Sequence, residues 1–292
     1  MESPQPVATG PSSPSFLARH EFLIRRLHSL SGLIPVGAYM CIHLLTNASV
    51  LESAASFQVK VYMIHSLGKL LPLVEWTFIF IPILFHAVIG VVIIQGGLPN
   101  SSSYPLQKNI RYTLQRASGM VAFAFILWHV FHMHGWIHAS WWIDGVAKPM
   151  AGAQFKPYNA ASTAGLALQS WLVAALYAVG VVACVYHLAN GIWTMGITWG
   201  VWTSAAAQRR ADKVCAAFGV LLAVVGLSAL FGMRDAGNPE NIEAAITAED
   251  KLYEAKTASG EVAPNPEKRS EAGGEEASND ETSVADTTTA AR

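Results

Sequence analysis

Residues 76–95 read WTFIFIPILFHAVIGVVIIQ: twenty positions without an Asp, Glu, Lys or Arg, and one histidine, His86, at their centre. A helix of about 20 apolar residues crosses the ~30 Å hydrocarbon layer of a bilayer. Working outward, the charge-free run continues to 107, and four more such runs cover 27–51, 117–143, 157–208 and 214–233. Lipid offers the backbone no outside hydrogen-bond partner, so helix is the form these runs must take. They predict an all-α fold, an integral membrane bundle of five transmembrane helices, with spans near 28–49, 73–96, 117–138, 167–196 and 214–233. The run 157–208 is long enough for two spans but reads as one. It opens on small and polar residues, its end is punctuated by Gly191, Gly196 and Gly200, and Trp193, Trp199 and Trp202 fall where an aromatic belt lies.

Composition agrees. Of 292 residues 52% are hydrophobic and 13% charged, about half the usual share of charge in soluble domains. That excludes a disordered chain and makes a soluble enzyme a poor reading. The net charge of −1 hides a split: residues 1–233 carry thirteen Lys/Arg against six Asp/Glu, and residues 234–292 carry six against fourteen. Three segments follow: a flexible cytoplasmic leader over 1–24, the membrane domain over 25–233, and an acidic, largely disordered tail over 234–292 in which 240–256 can form a short helix. Met1–Phe16 lacks the apolar core of a secretory signal. Nothing points to nucleic acid. Cys41, Cys184 and Cys215 sit in apolar runs and form neither CxxC nor CxxCH, so they read as small core residues. With the N-terminus inside, the inner segments hold nine Lys/Arg and the outer loops four, which supports a cytoplasmic N-terminus with the tail outside.

Four histidines lie inside spans, one per helix: His43, His86, His129 and His187. A polar ring at membrane depth is costly without a partner and marks a functional site by default. Counting at ~1.5 Å per residue places His43 and His129 about 22 and 18 Å from the inner face, and His86 and His187 both about 14 Å from it. They sort into an outer and an inner pair. Two imidazoles facing each other from different helices are what a six-coordinate haem b needs, since the porphyrin supplies the other four nitrogens. Gly90 and Gly191, one turn after His86 and His187, and Gly37, six residues before His43, leave room for a flat macrocycle or for close helix packing. His28, beside Arg25 and Arg26 at the inner edge, suits haem propionates and equally lipid phosphates. His132, His134 and His138 end the third span as a wetted cluster or as a contact for a propionate, a quinone or protons, and His20 and His65 read as surface residues.

These residues carry a resemblance. The runs RRLHSLSGLIPVG at 25–37, HLLTN at 43–47, FIPILFHAVIGV at 80–91, LQRASG at 114–119, WHVFH at 128–132 and YHLANGIWTMGITWG at 186–200 resemble the di-haem cytochrome b membrane anchor of succinate dehydrogenase and fumarate reductase, of the type with one five-helix polypeptide. The likeness covers about residues 20–233. It implies two b haems, with His86 and His187 ligating the proximal haem iron and His43 and His129 the distal. It implies two soluble partners at the cytoplasmic face: a flavoprotein subunit with the succinate/fumarate site and an iron–sulfur subunit that feeds the proximal haem. It also implies a quinone, usually menaquinone, near the distal haem. Glu75, eleven residues before His86 and toward the outer face, is then a candidate for proton transfer with quinone, against the plainer reading of an acid in the first helical turn. The family's own quinone-site acid has no clean match here. Arg25, Arg111 and Arg116 at the inner edge are candidates for propionate contact or for docking the iron–sulfur subunit.

Two other readings keep part of this pattern. The haem b subunit of a hydrogenase or formate dehydrogenase shares the haems and changes the donor; one ligand on each of the first four spans and none on the fifth argues against it. A transporter with a histidine proton relay would place Asp or Glu beside the histidines or show an internal repeat. Spans one, three, four and five carry no acid, and no repeat is evident.

Overall fold

A computed structural model describes residues 19–96 and 107–270. Among them are five helices long and apolar enough to cross a membrane: α1, Glu21–Leu51, α3, Gly68–Gln95, α4, Gln107–His134, α6, Trp171–Thr198, and α7, Ala205–Ala236. Between and after them lie the shorter α2, Ala54–His65, α5, Ala160–Ala167, and α8, Ile242–Ala258, and no strand is formed among the described residues. The five long helices make one bundle. α6 packs on α4 and on α7, α7 packs on α1, and α1 packs on α3. The near face is the one at the N-terminal end of α1, and the far face is opposite.

Local sequence sets the ends of these helices. Ser204 caps α7 by accepting the Ala207 N–H at 3.2 Å, and Ser53 caps α2 by accepting that of Ser56 at 3.0 Å. α4 stops at His134, four residues short of the span expected from the sequence. Gly135 takes a φ of +77°, open to glycine at no steric cost, and its N–H turns back to the Phe131 carbonyl at 2.9 Å. His138 therefore lies in a loop. α1 changes pitch over Gly32–Gly37, where Pro35 offers no N–H to the helical ladder.

Outward faces of the bundle are apolar. Leu73, Trp76, Phe78, Ile81, Leu84 and Val88 of α3 are all more than half exposed, which suits a hydrocarbon surround. The buried apolar residues form two groups. Leu44, Val185, Leu188 and Leu222 join α1, α6 and α7 at mid-height. Val50, Phe57, Val61, Ala160, Ala164, Tyr177 and Met233 join the far ends of the bundle to α2 and α5.

The acidic segment from 234 is more ordered than its composition predicts. α7 runs on to Ala236, and α8 then packs across α2 and α5. Glu249 of α8 is fully buried, and its carboxylate accepts the N–H groups of Ala161 and Ser162, at 2.6 and 3.2 Å, and the Ser162 hydroxyl at 2.5 Å. It thus satisfies the free donors at the start of α5. Asp250 pairs with Arg269 at 2.5 Å, so the chain beyond α8 is tied back as well. At the other end, α1 begins at Glu21, inside the segment expected as a leader. Residues 1–18 and 271–292, most of that leader and the last part of the tail, lie outside the described residues.

Candidate functional site

The four interior histidines stand on α1, α3, α4 and α6. The structure places His43 opposite His129, with ring centroids 5.9 Å apart, and His86 opposite His187, at 6.0 Å. In both pairs the planes are steeply inclined, at 71° and 84°. A metal–imidazole bond is about 2 Å, so either separation puts two ring nitrogens within reach of one ion.

The inner pair is held by main-chain atoms. His86 Nδ1 donates to the His28 carbonyl at 2.9 Å, and His187 Nδ1 donates to the Gln115 carbonyl at 3.0 Å. Each bond fixes the tautomer with the proton on Nδ1 and leaves the Nε2 lone pair available, the usual preparation of a metal-ligating histidine. Gln115 is itself anchored. Its side-chain nitrogen donates to the His187 carbonyl at 3.1 Å, and its oxygen accepts from Asn190 at 2.7 Å. Asn190 accepts from Arg111 Nε at 2.9 Å, and Arg111 pairs with Asp212 at 2.5 Å. A chain of polar contacts thus runs from the near end of α7 to the inner pair.

Two glycines let the rings approach. A Cβ on Gly32 would overlap the His86 ring, and one on Gly119 would lie 2.7 Å from His187 Cε1. Sequence reasoning gave neither a role, because a glycine opposite a ring on another helix leaves no mark in spacing along one helix. Of the glycines it singled out, Gly37 makes room for Leu188, while Gly90 and Gly191 leave only ordinary contact, 3.4 Å to His28 and 3.5 Å to Gln115.

His28 stacks on His86, centroids 4.0 Å apart and planes 11° from parallel, and its buried Nδ1 has no hydrogen-bond partner among the described residues. That orphaned nitrogen and the facing imidazole donors fit a large flat cofactor with an acidic edge. The three arginines expected nearby already have partners. Arg25 pairs with Glu21 at 2.8 Å, Arg111 lies over the Trp193 ring at 3.9 Å, and Arg116 lies over Tyr112 at 4.1 Å and donates to the carbonyls of Ile93 and Ile94.

The outer pair has side-chain partners instead. His129 Nδ1 lies 3.2 Å from the Tyr177 hydroxyl, and His43 Nε2 lies 3.2 Å from Asn47 Nδ2. Tyr39 stacks on His43 with centroids 5.6 Å apart. Glu75 is partly buried in the far part of α3, on the side of the outer pair. Among the described residues no group of three or more His, Cys, Asp or Glu is placed to hold a bare metal ion.

Fold and site together define an integral membrane protein whose interior polar chemistry is facing imidazoles, the arrangement of a membrane cytochrome. No family model matches the chain. Over 211 residues it is 34% identical to the succinate dehydrogenase cytochrome b558 subunit of Bacillus subtilis (strain 168), an alignment covering 72% of this chain and 96% of that protein. The chain belongs to the family of succinate dehydrogenase cytochrome b subunits, the membrane-embedded part of an oxidoreductase that takes part in electron transport.

Proposed function

We propose that this chain passes electrons between an iron–sulfur subunit and quinone, menaquinone in the first instance, with two b haems held in the two histidine pairs. The observation that carries this reading is the inner pair: two neutral imidazoles on different helices, 6.0 Å apart, each with Nδ1 committed to a carbonyl and Nε2 left for a metal. His86 and His187 then bind the proximal haem iron, and His43 and His129 the distal. Each haem, when bound, supplies a one-electron carrier.

The protein's own residues hold the ligands. Main-chain carbonyls of His28 and Gln115 orient the proximal ligands. Leu44 and Leu188, next in the chain to His43 and His187, belong to an apolar cluster with Val185 and Leu222. His28, whose Nδ1 has no hydrogen-bond partner among the described residues, would receive a propionate at the near edge, whereas Arg25, Arg111 and Arg116 would first give up existing contacts. Glu75 is the group suited to exchange a proton with quinone from the far half of α3. The N-terminus lies in the bacterial cytoplasm, the flavoprotein and iron–sulfur partners dock on the near face, and the tail lies outside. The lipid-facing surface is the exposed apolar side of the bundle, α3 above all.

The test is haem stoichiometry in the purified complex, read from the reduced-minus-oxidised spectrum. The expected value is two b haems per chain. His86→Ala or His187→Ala removes one and cuts electron entry. His43→Ala or His129→Ala removes the other and stops quinone turnover, while succinate oxidation with a soluble dye persists. Unchanged haem content in all four variants would end this reading.

A further inference from the structure

His129 of the outer pair differs from both inner histidines in what holds its Nδ1, a side-chain hydroxyl rather than a carbonyl, and that hydroxyl belongs to a group outside the ligand set. Tyr177 of α6 is buried at 6% exposure, and its hydroxyl lies 3.2 Å from His129 Nδ1 and 2.9 Å from His132 Nδ1. A phenol has one proton and can serve only one of the two nitrogens as donor. At least one ring must therefore carry its own Nδ1 proton and donate to the phenol oxygen. If His129 binds metal through Nε2, it is the one that donates. The Tyr177 O–H is then directed to His132, whose Nδ1 accepts.

The geometry of this relay is fixed by packing. Phe125 and Trp128 meet the Tyr177 ring edge-on, with centroids 5.4 and 5.1 Å away. Phe125 also stacks on His129 at 5.7 Å, and Trp128 stacks on His132 at 5.0 Å, 12° from parallel. Gly180, one turn after Tyr177, has no Cβ because Phe125 occupies that space. The phenol thus cannot swing away from the two imidazoles. Its role is confined to the outer pair, because the inner pair is served by carbonyls.

We propose that Tyr177 is a positioning residue for the outer haem, and that its hydroxyl, accepting from His129 Nδ1 and donating to His132, sets the electron affinity of that haem independently of the inner one. This rests on the haem reading above. A hydrogen bond from Nδ1–H to an acceptor raises the basicity of the ligating nitrogen and so favours the oxidised form of the iron it binds. Second-shell hydrogen bonding is one of the protein's levers on a haem potential. Loss of the phenol oxygen makes the outer haem easier to reduce. Loss of His132 leaves the oxygen in place as a poorer acceptor, and the effect has the same sign and a smaller size.

The experiment is a potentiometric titration of the intact detergent-solubilised complex at fixed pH, with optical and low-temperature EPR detection of each haem. The outer haem is identified as the one that His129→Ala removes. Tyr177→Phe is expected to raise the reduced-to-oxidised ratio of the outer haem about tenfold at a given ambient potential, equivalent to about 59 mV for one electron. It should change that haem's EPR signature and leave the inner haem's potential in place. His132→Phe, which keeps Tyr177, is expected to give a smaller shift in the same direction, and it carries the test if Tyr177→Phe does not assemble. An unchanged outer potential in both variants, or equal shifts of both haems, would overturn the role of Tyr177 while the two-haem reading stands. Absence of two bis-histidine haem signals from the unsubstituted complex would instead remove the reading on which it rests.

Discussion

At the scale of single residues, the site depends on atoms that are absent as much as on those present. Gly119 faces His187 so closely that a methyl group would sit 2.7 Å from the ring. Overpacking of this kind typically costs about 1–3 kcal/mol, and here the strain falls on a proposed ligand. Gly119→Ala is expected to lower haem occupancy at the inner pair and to leave the outer pair filled, which a haem assay with EPR resolution of the two signals will show. Equal occupancy in variant and parent would mean that the ring can shift without consequence. The four interior histidines were legible in the sequence because a lone imidazole in an apolar run stands out. Gly32, Gly119, Gln115, Asn190 and Tyr177 were not, since each matters through a contact with another helix, and no spacing along the chain records which helices meet.

At the scale of elements, α4 and α6 are joined near their near-face ends by a polar seam. Asn190 is 4% exposed, donates to Gln115 and accepts from Arg111. Removing one partner of a buried hydrogen bond costs about 1–3 kcal/mol, because the other is left desolvated. Asn190→Ala is expected to destabilise the α4–α6 pair by an amount in that range, with the inner haem lost first. Thermal unfolding of the purified protein, followed by the absorbance of each haem, measures this, and an unshifted midpoint would show that the seam bears no load. The five spans follow from charge-free runs together with the glycine and tryptophan punctuation of 157–208, and the pairing of the histidines follows from counting residues along each span. The end of α4 was misplaced by four residues because the charge-free run continues to 143, past the turn that the backbone freedom of Gly135 sets. The helix of the tail was legible near 240–256 and forms as α8; its docking was not, because α8 is held by one buried acid, Glu249, whose partners lie near 161, far away in sequence.

At the scale of the whole molecule, that docking makes the far cap responsive to pH. Burial pushes the Glu249 carboxyl up to about 7, against the opposing pull of the hydrogen bonds it accepts from Ala161 and Ser162. In a released tail the group returns to the ordinary carboxylate range, near 4.3. The docked form therefore holds its proton more tightly. Its advantage is fully present below the ordinary range and is lost as pH rises through about 7. Limited proteolysis at Lys251 and Lys256 should accelerate from pH 5 to pH 8 in the parent protein. Glu249→Gln, which keeps an acceptor for the α5 N–H groups, should flatten that dependence. Equal slopes in the two proteins would separate the cap from this carboxyl.

The contrast between the pairs has a bearing on how the subunit can diverge. A peptide oxygen is present whatever amino acid occupies its position, so the setting of His86 and His187 passes unchanged through most substitutions and alters only if whole helices move. Tyr177 and Asn47, beside the other two rings, are single codons away from different chemistry. The same backbone is thus free to vary in the chemistry around the outer pair and constrained to keep it around the inner one.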